Sequence, residues 1–96
     1  MDELLKIIAM LRDKEHGCPW DAKQTFKSIA PHTLEEVYEV VDTLERADYS
    51  HLANELGDLL FQIVFYAQLG KEAGIFDFDV IVNEITQKLL TRHPHV

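Results

Sequence analysis

Apolar residues recur at helical spacing along most of the chain. Leu4, Ile8 and Leu11, joined by Leu5 and Ile7, mark one face of a first helix over roughly Glu3–Lys14, with Asp2 as its cap. The period fails at His16-Gly17-Cys18-Pro19-Trp20-Asp21. Gly17 is suited to end the helix in the left-handed conformation, and Pro19 prevents its continuation. Asp21 with Gln24 fits a capping box for a short helical piece to about Ser28, which Pro31 ends. Thr33 with Glu36 is a second such match and opens a helix to about Arg46–Ala47. Its core stripe is Val37, Val41 and Leu44, with Val40 beside it. Asp48 or Ser50 caps a further helix to about Ala73, where Gly74 is the expected stop. Asp77 or Asp79 caps the last one, whose stripe is Val82, Ile85 and Leu89.

The third long helix departs from this one-sided pattern. From Leu59 to Ala67 apolar residues point in almost every direction, which predicts burial all round. A chain this short has little of its own to cover such a helix, so a second subunit is expected over part of it. The polar stripe that remains is Glu55, Asp58 and Gln62. Gly57 lies inside the same helix, where glycine costs about 1 kcal/mol against alanine. A close approach by the preceding helix or by a ligand would explain it.

Glu36 and Glu39 are three apart on one helix, and Glu55 and Asp58 are three apart on the next. Residues so spaced are surface neighbours. A short link between the helices makes them antiparallel, so that the pairs face each other. Four converging carboxylates repel unless a cation lies between them, and oxygen ligands suit magnesium or manganese. The competing readings are a solvated acidic face and a buried salt-bridge network. The second is weakened by the lack of bases: Arg46 is the only Lys or Arg from Thr33 to Leu69. The Thr33–Glu36 capping box competes with the metal for one carboxylate.

Composition narrows the classes. The chain has 96 residues and a net charge of −8, which fits one small domain and argues against nucleic-acid or acidic-membrane binding. A lone Cys18 excludes an internal disulfide and makes the cytoplasm the default setting. No basic-then-apolar leader opens the sequence, and the Leu59–Leu69 run is too short and too interrupted to span a membrane. Trp20 is either a plug over helix ends or a base-stacking group. His32 either contacts a substrate or caps locally. Lys88 and Arg92, four apart near the last helix end, read first as favourable dipole and surface charge. Glu-x-x-His, which ferritin-like di-metal oxidases use, is absent.

Taken together, Gly17-Cys18-Pro19-Trp20-Asp21, Gln24-Thr25, Thr33-Leu34-Glu35-Glu36-x-x-Glu39, Glu55-Leu56-Gly57-Asp58-Leu59-Leu60, Phe76-Asp77-Phe78 and Arg92-His93-Pro94-His95-Val96 resemble the MazG family over nearly the whole chain. The resemblance implies an all-α, four-helix-bundle-like fold that forms a homodimer or a higher oligomer. It implies hydrolysis of nucleoside triphosphates to monophosphate and pyrophosphate with magnesium, or with manganese in its place. The family's metal acids match Glu36, Glu39, Glu55 and Asp58. Its basic pair matches Lys88 and Arg92, which reverses the surface-charge reading. Its substrate-contacting stretches match His32–Glu35 and His51–Asn54, so His32 and Asn54 join the candidate substrate residues, beside Trp20 as a base-stacking group. Ala22 stands where the family often has Lys or Arg after Trp-Asp. Many members carry two such domains in tandem. Residues 1–96 are then one MazG-like domain, standing alone or as a piece of such a protein, and either catalytic or a silent oligomerisation copy.

Overall fold

In a computed structural model, which describes residues 1–95, the chain forms five helices. They are α1 (Asp2–Leu11), α2 (Pro19–Lys23), α3 (Phe26–Glu45), α4 (Tyr49–Ala73) and α5 (Phe78–Arg92). The all-α expectation holds: the described residues include no strand. Val96, the last residue of the tail motif, lies outside the described residues.

Helix α4 is the hub. α3 packs along it most extensively, α1 next, and α5 least. Val64, Phe65 and Leu69 of α4 form the core with Ile8 of α1 and Ile29 of α3. Arg12 locks the intervening loop onto this core. Its Nη1 donates to the carbonyls of Asp21 at 2.8 Å, Ala22 at 3.2 Å and Gln24 at 2.8 Å. The same guanidinium pairs with Glu72 and lies 5.7 Å from the centre of the Phe65 ring. Glu72 is held below its ordinary pKa, chiefly by that hydrogen bond.

The helix starts differ from the local signals. Helix α1 has no side-chain cap; Asp2 sits in its first turn, favourable to the helix dipole. Gly17 is not left-handed: among the described residues only Ala47 and Gly74 have positive φ. Gly17 is there because a Cβ would strike the carbonyls of Met10, Leu11 and Asp13. The loop folds back under the end of α1 at that point, and Cys18 N–H bonds the Leu11 carbonyl at 3.0 Å.

Helix α3 begins eight residues earlier than the Thr33 signal placed it. Thr25 is its cap, with Ser28 N–H donating to Thr25 Oγ1 at 3.1 Å and Thr25 N–H to Ser28 Oγ at 2.7 Å. Pro31 therefore lies inside the helix, without ending it. Its missing N–H removes the helix bond to the Lys27 carbonyl, while the Thr25 cap and the burial of Ile29 hold the first turn. Gly74 ends α4 with φ 71°, as expected, and Asp77 caps α5 by accepting from Val80 N–H at 3.0 Å.

The expected core stripe of α3 is also corrected. Val37, Val41 and Leu44 are exposed. The face of α3 that meets α4 runs Ile29, Thr33, Glu36, Val40, Thr43, and the facing row of α4 runs Leu52, Glu55, Leu59, Gln62, Tyr66, Leu69. These residues recur at alternating spacings of three and four, the geometry of a coiled-coil seam. The seam is unusually polar. In an antiparallel pair, residues one position after the seam fall on the same side of both helices. Val37, Val41 and Leu44 thus share a side with Leu56, Leu60 and Ile63, all exposed. Helix α4 is apolar in nearly every direction, but the chain covers only part of it. Helix α5 has no buried residue at all. The radius of gyration is 15.4 Å, against about 13 Å for a compact chain of 100 residues.

Candidate metal centre

The hairpin of α3 and α4, joined by three residues, brings Glu36 opposite Glu55 and Asp58. Each offers a carboxylate oxygen within 4.8 Å of the other two. Glu36 Oε2 is fully covered and has no hydrogen-bond partner among the described residues. Its carboxyl is held above its ordinary pKa, first by burial, then by the charges of Asp58, Glu55, Glu39 and Glu35. Glu39 is exposed and stands outside the three-oxygen group, although its charge reaches Glu36. With α3 capped at Thr25, Glu36 has no capping duty.

Among the described residues no Lys or Arg pairs with Glu36, Glu55 or Asp58. Arg46 instead bonds Asp42 at 3.0 Å and Asp48 at 3.4 Å, and Arg12 holds Glu72. The described residues therefore supply no salt bridge to balance this cluster. A covered carboxylate oxygen without a partner is costly. The donor set is entirely hard oxygen. Both facts fit an octahedral divalent cation such as magnesium or manganese, and neither fits a thiolate- or imidazole-seeking metal.

The candidate substrate residues fall into separate places. Trp20, half exposed, meets His32 edge-on with ring centres 5.4 Å apart. That joins two candidates from different segments at the start of α3. Asn54 is exposed on the first turns of α4. Its neighbour His51 bonds Asp48 at 2.8 Å, and Ser50 bonds the other Asp48 oxygen at 2.7 Å. These bonds, Ser50 first, hold Asp48 below its ordinary pKa. Lys88 and Arg92 are exposed on α5 and form no ion pair among the described residues. Lys88 borders an apolar groove of about 570 Å³ whose walls include Ile63, Tyr66, Phe76 and Ile85. The acids of the cluster are not among those walls. The single chain thus assembles three acids and leaves the basic pair apart from them.

Two groups have roles that local sequence signals do not show. Arg12 reaches carbonyls nine to twelve residues onward, which no spacing rule anticipates. Thr33, marked by sequence as a cap, instead turns its hydroxyl to Gln62 and Tyr66 of α4.

Residues 24–96 match the MazG nucleotide pyrophosphohydrolase domain. The chain belongs to that family. It is 59% identical over 96 residues to the nucleoside triphosphate pyrophosphohydrolase of Escherichia coli (strain K12), covering 100% of this chain and 36% of that protein. It is 41% identical over 95 residues to the nucleoside triphosphate pyrophosphohydrolase/pyrophosphatase MazG of Thermotoga maritima, covering 99% and 37%. With the nucleoside triphosphate pyrophosphohydrolase of Mycobacterium tuberculosis it shares 33% over 97 residues, covering 99% and 30%. The chain spans about a third of the length of these relatives. The MazG match contains all the acids and the α5 bases, whereas Trp20 lies before it.

Proposed function

We propose that this MazG domain hydrolyses nucleoside triphosphates to nucleoside monophosphate and pyrophosphate. The observation that carries the reading is the buried, unpartnered Glu36 Oε2 facing Glu55 and Asp58. These three residues, with Glu39 at the rim, would hold magnesium, with manganese as a substitute. When bound, the ion supplies charge neutralisation for the triphosphate and polarises the reacting phosphoryl group. A carboxylate of the cluster orients the water that attacks between the α- and β-phosphates. Lys88 and Arg92 hold the phosphates that leave as pyrophosphate, through charge-assisted hydrogen bonds. Trp20 and His32 form an edge-to-face aromatic pair suited to a base, and Asn54 lies one position before the metal acid Glu55.

The active form in this reading is a homodimer or a higher homo-oligomer. The exposed Val37, Val41, Leu44, Leu56, Leu60 and Ile63 supply a contiguous apolar side, and α5 has apolar residues with nothing over them. A second copy on that side also gives Lys88 and Arg92 a route to an acid cluster. The reaction is assigned to the cytoplasm, with no nucleic-acid or membrane partner; no described helix is long and apolar enough to cross a membrane.

The test is incubation with Mg²⁺ and a panel of nucleoside triphosphates, scoring pyrophosphate against single phosphate. Release of pyrophosphate, lost in Glu55→Gln, supports the reading; release of single phosphate overturns it. A second reading is a catalytically silent oligomerisation or regulatory domain. It is favoured by the exposed Lys88 and Arg92, which pair with none of the cluster acids among the described residues. Metal binding with no turnover on any nucleotide would select it.

A further inference from the structure

Directly below the acid layer the α3–α4 seam carries a second polar layer. Thr33 Oγ1 lies 2.7 Å from Tyr66 Oη and 3.1 Å from Gln62 Oε1, with the Ile29 carbonyl farther off at 3.3 Å. One assignment satisfies both short contacts: Tyr66 O–H donates to Thr33 Oγ1, and Thr33 O–H donates to Gln62 Oε1. Gln62 is buried and the other two are half-buried. Among the described residues, these are the only side-chain hydrogen bonds that cross from α3 to α4.

Their placement gives them a task. Thr33 is one turn before Glu36 on α3, and Gln62 is one turn after Asp58 on α4. Because the helices are antiparallel, the two layers are adjacent. Carboxylate oxygens of Glu36, Glu55 and Asp58 lie within 4.8 Å of one another across the seam, so the like charges of the acid layer push the helices apart. The hydroxyl layer ties them together one turn away and fixes their rotation and spacing. Magnesium requires near-ideal octahedral geometry at about 2.1 Å, while calcium accepts longer and looser coordination at about 2.3–2.6 Å. A seam free to spread by a few tenths of an ångström would therefore lose its preference for the smaller ion.

We propose that Thr33, Gln62 and Tyr66 are positioning residues that hold the acid layer at the spacing of a small divalent cation. The layer sets ion selectivity without touching the ion. The inference rests on the metal reading of Glu36, Glu55 and Asp58.

The test is titration of Mg²⁺, Mn²⁺ and Ca²⁺ into the wild-type chain and into Tyr66→Phe, Thr33→Val and Thr33→Ser, with binding heat and thermal melting as readouts. Tyr66→Phe keeps the ring stacked on Phe26, whose centre is 6.3 Å away, and so retains the packing. Groups that orient metal ligands typically change affinity by about 10- to 100-fold when removed. Tyr66→Phe and Thr33→Val are each expected to weaken Mg²⁺ about tenfold and Ca²⁺ less. Thr33→Ser, which keeps the hydroxyl, is expected to retain the wild-type Mg²⁺ to Ca²⁺ ratio. If Thr33→Val does not fold, Tyr66→Phe carries the comparison. Lower melting temperatures with all three affinities unchanged would reduce the layer to packing and overturn the inference alone. An equal loss for every ion would also overturn the selectivity claim. A wild-type chain that binds none of the three ions would overturn the metal reading and this inference with it.

Discussion

The seam between α3 and α4 and the surface of α5 invert the usual order of polarity. Deep in the seam are Thr33, Glu36, Thr43 and Gln62. On α5, Val80, Val82, Ile85, Leu89 and Leu90 are 43–53% exposed. Burial inside one chain is therefore a poor guide to role here. In the proposed reading the polar seam holds the chemistry, because its covered carboxylates lack any partner but a cation. In the same reading the apolar exterior takes another subunit, because such a face is costly in water. One region would then be finished by a small ion and the other by a large partner.

Neutralising one seam acid is the strongest challenge to this contrast. In Glu55→Gln the turnover is expected to fall at least about a thousandfold, or about 4 kcal/mol of barrier. In the wild type, Mg²⁺ at a hundred times its dissociation constant adds about 2.7 kcal/mol, upwards of about 10 °C in melting temperature for a chain this size. Glu55→Gln should lose that response. If wild type ignores the metal and Glu55→Gln is strongly destabilised, the seam is a structural network instead.

The matching challenge to the exterior is Ile63→Asp. Ile63 is exposed in the chain and lines the groove between α4 and α5. An unpaired charge there costs association about 3 kcal/mol or more, a hundredfold in affinity. Sedimentation should then show folded monomer where wild type is an oligomer. A wild-type chain that sediments as a stable monomer at micromolar concentration would refute the premise.

Smaller effects sharpen the division. Lys88→Ala and Arg92→Ala should each raise KM about tenfold, the loss of one hydrogen bond to a charged group, with circular dichroism unchanged. Equal KM in the double variant would return both to surface charge.

Acidity separates two carboxylates whose pKa values are shifted in opposite directions. Glu36 has a folded pKa above 4.5, so its strain in the metal-free protein is present at neutral pH and is relieved as pH falls toward 4.5. Glu72 has a folded pKa below 4.5, so its contribution is present above that value and is lost as pH falls through the folded pKa. For these two groups, metal-free stability should rise from pH 7 toward about 4.5 and fall below it. Melting curves across that range check the sign, and Arg12→Met should shrink the lower limb, to which the lowered Asp48 also contributes. The least change is expected from Gly57→Ala. Among the described residues outside its own turn nothing lies within 4 Å of the added Cβ, so the preceding helix makes no close approach there. Helix propensity should then stabilise the chain by about 1 kcal/mol, and a loss instead would place a partner's backbone against that turn.

The inverted polarity also explains which features were legible in sequence. The paired acids could be read because helical spacing is local, and Gly74 and Asp77 because caps are local too. The core stripe of α3 could not. Hydropathy selects Val37, Val41 and Leu44 as the inward face, whereas the inward face is the one bearing Thr33, Glu36 and Thr43. A rule that sorts by water affinity cannot distinguish a face awaiting its own chain from one awaiting another. The start of α3 is ambiguous in the sequence for a related reason. Thr25 with Ser28 and Thr33 with Glu36 are both plausible caps by spacing. The cross-helix bonds of Thr33 lie 29 and 33 residues away. Of the four predicted acids, Glu36, Glu55 and Asp58 meet, and Glu39 stands off. Spacing along one helix cannot say which member of a pair turns inward.

The three-residue link between α3 and α4 has a consequence for the order of events during synthesis. A hairpin of neighbouring helices closes with little loop entropy and belongs to the fast-forming class of contacts. All three acids of the cluster are contained in it. The nascent chain therefore has all three acids of the proposed cation site in place as soon as α4 has emerged, before α5 is made. An ion captured at that moment would act as an internal clamp on the youngest part of the fold, so the magnesium concentration during translation would influence the yield of assembled protein.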